Sequence, residues 1–227
     1  MNEILFITII LLTMLSIFCL LKLYHKQGLI YALTILDIIT YILSFKIIEV
    51  FRLNINLGIV PYIGTLTTIY LYLIKYGSKE IKKIEFLCLY TNLTIALLLV
   101  IMNYMIPAIT ETISINIQGT FEHNYKILLF YPIMMILSQY LITKLFTFVS
   151  QIQSNISISI ILTYIITALV YVILFYMVCY IKVLTIADSL YIGLSTYIVG
   201  LIVTIINVIF INSILNSKKV LKWSISY

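Results

Sequence analysis

Charged residues are scarce in this chain of 227 residues: they make up 10% of it, whereas hydrophobic residues make up 63%. Soluble domains carry about 25% charged residues, because their surface faces water. Fourteen lysines and arginines with eight aspartates and glutamates cannot cover a soluble fold of this size. A lipid bilayer removes the difficulty, since lipid then surrounds the apolar side chains. The composition therefore predicts an integral membrane protein whose first partner is the lipid bilayer.

Proline, glycine and cysteine are also rare, with three, seven and three residues respectively. So little proline and glycine leaves no room for flexible linkers, and we expect one integral membrane domain over residues 1–227. Cys19, Cys88 and Cys179 each lie inside an apolar run and none belongs to a CxxC pair. They are interpreted as small buried hydrophobic residues, and no disulfide framework is expected.

The residues that most enzymes need are missing as well. The two histidines, His25 and His123, fall in different connections on opposite sides of the predicted membrane. The sequence contains no HExxH, no GxSxG, no pair of aspartates within one span and no Walker A loop. We therefore expect no enzyme, no cofactor and no metal. The net charge of +6 is interpreted as a signal of membrane orientation, because the lysines cluster between apolar runs, so no nucleic-acid partner is expected.

Long apolar runs are what the chain does have. A membrane-spanning helix needs about 20 such residues. Seven runs qualify: residues 4–23, 29–50, 55–74, 84–106, 127–149, 156–181 and 189–215. They predict an all-α fold, a polytopic bundle of six to seven membrane-spanning helices. The third run is the weakest, because polar and helix-breaking residues interrupt its start, and a kinked or re-entrant beginning is predicted there.

Basic residues separate the two sides of this bundle. Ten lie in or beside the odd-numbered connections and the tail: Lys22, Lys26, Lys75, Lys79, Lys82, Lys83, Lys144, Lys218, Lys219 and Lys222. The other side has only Arg52, Lys126 and Lys182, with Lys46 nearby. Because cytoplasmic loops are enriched in Lys and Arg, we expect a bacterial-type cytoplasmic membrane, with the amino terminus outside and the carboxyl terminus in the cytoplasm.

Asp37 is the one carboxylate deep inside a predicted span. With Thr34, Tyr41 and Ser44 it forms a polar stripe at helical spacing, which should face the interior of the bundle. A charge in hydrocarbon costs several kcal/mol, so such a residue has a specific partner or a function. Two interpretations stay open: a substrate or proton site, and a protonated carboxyl hydrogen-bonded to a neighbouring helix.

Other polar residues within spans have simpler interpretations. Gln139 and Asn207 are mid-span amides, which commonly join neighbouring helices and can also contact a ligand. Lys46 and Glu49 are expected to form an i, i+3 pair at the outer end of the second helix.

A series of short motifs resembles the queuosine precursor transporter family, also called the vitamin uptake transporter family. Residues 57–66 read LGIVPYIGTL and residues 70–83 read YLYLIKYGSKEIKK, similar to the family's small-residue span that ends in a basic Lys-Tyr-Gly motif. Further similarities occur in order along the chain: YHKQGL at 24–29, Lys46 with Glu49 and Phe51, Ser138-Gln139, and Thr196-Tyr197. The match covers nearly the whole chain, and its weight lies in the series of motifs.

The polar interior of that family is largely replaced here. Family acids and amides fall on Tyr41, Tyr70, Ile74, Ile142, Ala168, Tyr171 and Asn207, its serine falls on Thr167, and its lysine falls on Gly200. Asp37 is an addition. Each buried polar group of a ligand left without a partner costs about 1–3 kcal/mol, so a 7-deazaguanine would lose several contacts.

The resemblance implies an importer of a small solute, here an aromatic or purine-like one, without an ATPase domain of its own. Six residues are candidates for its binding site: Asp37, Tyr41, Tyr70, Gln139, Tyr171 and Asn207. The alternative is a divergent membrane protein that does not transport, such as a partner-binding subunit. A homo-oligomer, a membrane protein partner and separate ATPase subunits are left open by the sequence. A cavity lined by Tyr41, Tyr70, Gln139 and Tyr171 would favour transport, and a core filled with side chains at those positions would favour the alternative.

Overall fold

The computed structural model describes residues 2–104, 112–179 and 185–216. Within these ranges the chain is mostly helical, with six helices and one β-hairpin. The elements are α1 Asn2–Leu43, β1 Ile47–Val50, β2 Leu53–Asn56, α2 Ile59–Tyr76, α3 Ile81–Tyr104, α4 Thr112–Ile152, α5 Ile156–Cys179 and α6 Ile186–Asn216. Five helices, α1 and α3 to α6, are long and apolar enough to cross a membrane. The chain is thus a polytopic membrane protein.

The outer surface agrees with this assignment. Large apolar side chains are exposed along α1, α3, α4, α5 and α6, among them Ile4 at 72%, Leu97 at 64% and Ile209 at 63%. A soluble protein rarely exposes apolar surface on this scale, whereas lipid covers it at no cost.

Helix α1 contains both of the first two predicted spans, because it folds back on itself. The backbone at His25 has φ 51° and ψ −120°, which no helix contains. The first arm, residues 2–24, and the second arm, residues 26–43, then run in opposite directions, so that Asn2 Nδ2 donates to the Glu49 carbonyl at 2.9 Å. Gly28 lies directly against the Leu20 carbonyl, a packing that leaves no room for a side chain.

Two boundaries of the sequence prediction are wrong at the β-hairpin. The second span was predicted to continue to residue 50 and the third to begin at 55, but the chain forms strands over 47–50 and 53–56. Val50 pairs with Leu53, and the two turn residues Phe51 and Arg52 both have positive φ, as a tight two-residue hairpin turn requires. The expectation of an all-α chain therefore fails for this segment. Lys46 and Glu49 lie before and within β1, so they are not a helical i, i+3 pair.

Helix α2 is the centre of the bundle. Every residue from Ile59 to Tyr72 is buried. Its polar side chains do not meet lipid: the hydroxyls of Thr65, Thr67 and Thr68 donate to carbonyls one turn back, at 2.8–3.0 Å. This burial explains why the third run looked weak in the sequence, because a helix surrounded by protein needs less apolar surface than one facing lipid. Helix α2 begins at Ile59 and continues to Tyr76 without an interrupting strand or kink.

The bundle has two distinct ends. The hairpin end holds Asn2 and the β-hairpin, and there the Asn56 amide donates to Thr196 Oγ1 of α6 at 3.0 Å. The opposite end, the lysine end, holds the His25 bend and residues 77–80, where Lys26 and Glu80 form an ion pair. This end also holds Lys22, Lys26 and the lysines of residues 75–83. Their separation from the hairpin end agrees with the predicted grouping of basic residues. Which end is cytoplasmic stays a prediction.

Some predicted features lie outside the described residues. These are the ends of the fourth and sixth spans at 105–106 and 180–181, Lys182, and the basic tail with Lys218, Lys219 and Lys222. Of the predicted loop 107–126, the part from Thr112 onward belongs to α4.

A side chain at position 28 should open the α1 hairpin. We expect Gly28→Val to lower the thermal midpoint of the purified protein in detergent by several degrees, since the new Cβ overlaps the Leu20 carbonyl and the arms must separate. Gly193→Ala is the matched control, because its Cβ would meet only side-chain carbons at 3.0 Å or more and the effect should be smaller. Equal midpoints for the wild type and Gly28→Val would contradict this geometry.

The Lys26–Glu80 pair should give a small pH dependence. The hydrogen bond from Lys26 lowers the pKa of Glu80, so the pair stabilises the fold above the pKa of an unfolded glutamate and is lost as the pH falls through the lowered value. Both side chains are exposed, at 39% and 55%, so the effect is limited by solvent screening. Thermal midpoints of the wild type and Glu80→Gln should differ slightly at neutral pH and converge in acid. A gap that widens in acid would contradict the sign.

Candidate functional site

Asp37 lies at a junction of three helices. It is on the second arm of α1 and is fully buried, at 0% exposure, together with Asn92 of α3 and Gln139 of α4, each at 1%. Asn92 Nδ2 donates to Asp37 Oδ2, and Gln139 Nε2 donates to Asp37 Oδ1 at 3.1 Å. The sequence stripe therefore faces the interior, as predicted, and two of the six candidate residues, Asp37 and Gln139, come together.

Amides are the partners of this carboxyl. In the part of the chain that the structure describes, no ammonium or guanidinium group lies within 4 Å of Asp37. A carboxyl in hydrocarbon must be satisfied by nearby donors, and two amides on different helices do this while tying α1, α3 and α4 together. The acceptor atoms Asn92 Oδ1 and Gln139 Oε1 are buried without a hydrogen-bond partner.

Tyr41 and Tyr70 are packed between other rings. Tyr41 stacks on Tyr131 of α4, with ring centroids 4.6 Å apart and planes inclined by 16°. Tyr70 contacts Phe146 of α4 at 5.0 Å between centroids, and its hydroxyl is buried without a hydrogen-bond partner. Both rings are almost completely buried, so these two positions form filled core.

Tyr171 lines a cavity between the second arm of α1, α2, α5 and α6. Its ring stacks on Tyr62 at 4.9 Å and on Phe175 at 5.3 Å. The cavity is small and admits only about one water molecule. Four positions were expected to line a cavity if the protein transports. Tyr171 lines this one, and Tyr41, Tyr70 and Gln139 are not among its lining residues.

The polar groups of this cavity largely satisfy one another. Tyr62 and Ser138 share a hydrogen bond of 2.5 Å between their hydroxyls. Tyr176 and Thr196 share one of 3.0 Å, and Asn56 Nδ2 donates to the Ser44 carbonyl at 2.8 Å. The cavity therefore combines aromatic faces with a rim of hydroxyls and one amide.

Asn207 of α6 is buried, at 3% exposure, and its Oδ1 lacks a hydrogen-bond partner. It is not among the residues that line the cavity or that contact Asp37. The structure thus divides the six candidates into a polar junction, two filled aromatic positions, one cavity residue and one separate amide.

Sequence reasoning missed Asn92, Tyr62 and Phe175. A span over residues 84–106 places Asn92 nearer one end, whereas α3 begins at Ile81 and has this residue at its middle. Tyr62 belongs to the segment Pro61–Gly64, whose small residues signal close helix contact, yet nothing in the sequence pairs its ring with one on α5. Among the described residues there is no group of three or more His, Cys, Asp and Glu that could hold a metal ion.

Comparison of the chain with protein-family models, with curated proteins and with solved structures finds no match.

The stability of the protein should depend on the hydrogen bonds that Asn92 and Gln139 donate to Asp37. Asp37→Leu leaves Asn92 and Gln139 without their acceptor, at about 1–3 kcal/mol for each buried group left unpaired. We expect a clear drop in the thermal midpoint in detergent, with a smaller drop for Asp37→Asn, which keeps one acceptor oxygen.

Two further variants control this experiment. The double variant Asp37→Leu/Asn92→Leu should lose less than the sum of its single changes, because the second change removes a group already orphaned. Asn207→Leu, an amide outside the junction, should change the midpoint less than Asp37→Leu. Strict additivity in the double variant would show that the two residues do not act together.

Proposed function

We propose that this membrane protein is a carrier that binds a small, flat solute between α1, α2, α5 and α6 and imports it across the bilayer. One observation supports the proposal above others: the cavity in which Tyr62, Tyr171 and Phe175 stack face to face. A planar ligand can take the place of one ring against its neighbour, because offset stacking is favourable for aromatic faces generally.

The chemistry of the rim supports a weakly polar aromatic solute. Hydroxyls of Thr40, Ser44, Tyr176 and Thr196 surround the rings, and no lysine, arginine or carboxylate lines the space. A charged ligand would enter without a counter-charge, which is costly in a buried site. The sequence resemblance to queuosine precursor transporters supplies 7-deazaguanines as the first candidates within this class.

Binding requires the site to open. The cavity holds about one water molecule, which is less space than a purine ring needs. Tyr62 on α2 and Tyr171 on α5 both line it and stack on each other, so separation of α5 from α2 would widen it directly. Such a movement leaves the Asp37 junction intact, since that junction joins α1, α3 and α4. The proposal adopts the orientation that the lysines suggest, with the lysine end in the cytoplasm.

A salvage assay tests this function. The chain is expressed in cells that cannot make the queuosine precursor and lack their own importer, 7-deazaguanine bases are supplied at low concentration, and queuosine in tRNA is measured. We expect queuosine to be restored by the wild type and reduced severalfold by Tyr171→Leu, which removes the stacking surface. No restoration by a protein shown to be in the membrane would exclude these bases as substrates.

Tyr70→Phe is the matched control for this assay. It removes a hydroxyl that has no hydrogen-bond partner from a filled position outside the cavity, so uptake should stay near that of the wild type. Uptake lost equally in Tyr70→Phe and Tyr171→Leu would place recognition away from the cavity. Thermal stabilisation of the purified protein by the same bases, measured for both variants, gives an independent reading of binding.

A second candidate function is a membrane subunit that binds a protein partner and does not transport. The filled positions around Tyr41 and Tyr70 favour it, because a carrier with a central path would not close these points with packed rings. The two functions differ in the binding assay: a non-transporting subunit shows no stabilisation by flat solutes, in the wild type or in any variant.

A further inference from the structure

A cleft of about 390 Å³ lies between α3 and α4 at the lysine end, apart from the cavity and the Asp37 junction. It lies toward the ends of two apolar spans, because the span of α3 starts at Ile81 and the span of α4 ends at Ile152. Six of its side chains matter for what it can bind: Lys82, Glu85, Tyr140, Thr143, Lys144 and Phe148.

The floor of the cleft is a fixed contact between the two helices. Glu85 of α3 is buried, at 3% exposure, and Thr143 Oγ1 of α4 donates to Glu85 Oε1 at 2.6 Å. This bond keeps the helices at a constant separation below the opening. The cleft is therefore a built feature of the α3–α4 pair.

The walls of the cleft carry two lysines whose charge is not matched by a direct ion pair. In the described ranges 2–104, 112–179 and 185–216, neither Lys82 nor Lys144 has a carboxylate within 4 Å. Lys144 Nζ lies over the ring of Tyr140, 5.8 Å from its centroid, which orients the ammonium group beside the cleft. With Glu85 on the floor, the cleft has a formal net charge of +1.

The mouth of the cleft faces the lipid. Tyr140 is 43% exposed and Phe148 is 59% exposed, both on the outer surface of α4. A ligand held by the two lysines therefore has exposed aromatic surface beside it. A soluble anion would use only the lysines, whereas a lipid would use both features.

We propose that this cleft binds the headgroup of an anionic phospholipid. A phosphodiester carries a single negative charge, which matches the net charge of the cleft, and lysines at membrane interfaces attract such headgroups. Lys82 and Lys144 bind the phosphate from either side, and the acyl chains pass over Tyr140 and Phe148. The site joins α3 to α4 from outside, where the Glu85–Thr143 bond joins them from inside.

Native mass spectrometry in detergent tests the proposal. The purified protein is titrated with dioleoyl phosphatidylglycerol and, separately, with dioleoyl phosphatidylcholine. We expect the wild type to prefer the anionic lipid. Lys82→Gln/Lys144→Gln should bind it roughly thirtyfold more weakly, because each of the two lysines is expected to contribute roughly fivefold to the affinity. Lys82→Arg/Lys144→Arg, which keeps both charges, should retain the preference.

Lys79→Gln/Lys83→Gln is the matched control, because it removes the same charge from the same end of the bundle but outside the cleft. It should bind the anionic lipid nearly as the wild type does. Equal losses in the two glutamine double variants would show diffuse attraction and overturn the proposal, as would a wild type that binds both lipids equally. Full competition by glycerol 3-phosphate at matching concentration would assign the cleft to a soluble phosphate ester.

Folding of the variants is checked by their helical circular dichroism and thermal midpoints. Where the glutamine double variant does not fold, the single variants Lys82→Gln and Lys144→Gln make the same comparison. Each is then expected to weaken binding of the anionic lipid roughly fivefold. Single variants that bind as the wild type does would overturn the proposal.

Discussion

A bilayer offers no hydrogen bonds, and this constraint orders the whole structure. Polar groups inside the bundle can find hydrogen-bond partners only within the protein. Asp37 meets the requirement with amides from α3 and α4, and the threonines of α2 meet it with carbonyls of their own helix. The threonines therefore form their hydrogen bonds within the central helix, and the carboxyl with its two amides links α1 to α3 and α4 by hydrogen bonds.

The lengths of the apolar runs predicted the helices well and the β-hairpin poorly. Each of the seven apolar runs lies mainly in a helical segment of the structure, including the two arms of α1. The β-hairpin was missed because residues 47–50 and 53–56 extend apolar runs on either side, and run length outweighed the alternation of apolar and polar residues in Leu53–Asn56. Helix α2 looked weak for the opposite reason: its threonines and tyrosines lower the hydropathy of a helix that never meets lipid.

The site was predicted in part. The position of Asp37 on an interior stripe followed from spacing alone, because helical geometry fixes which residues share a face. Its partner Asn92 and the stack of Tyr62 on Tyr171 did not, since contacts between helices depend on how the helices are paired, and a single sequence carries no record of that pairing. Polar residues of the third run also hid the fact that α2 forms one wall of the cavity.

The hydrogen bond between Asn56 and Thr196 has a consequence for the order of assembly. The β-hairpin is complete in sequence after residue 56, yet one of its backbone amides is satisfied only by a hydroxyl of the last described helix, 140 positions later. Asn2, in contrast, finds its carbonyl at Glu49 as soon as the first arms and β1 exist. The amino-terminal quarter can therefore fold during synthesis, but the backbone amide of Asn56 gains its hydrogen bond only after α6 has packed against the hairpin.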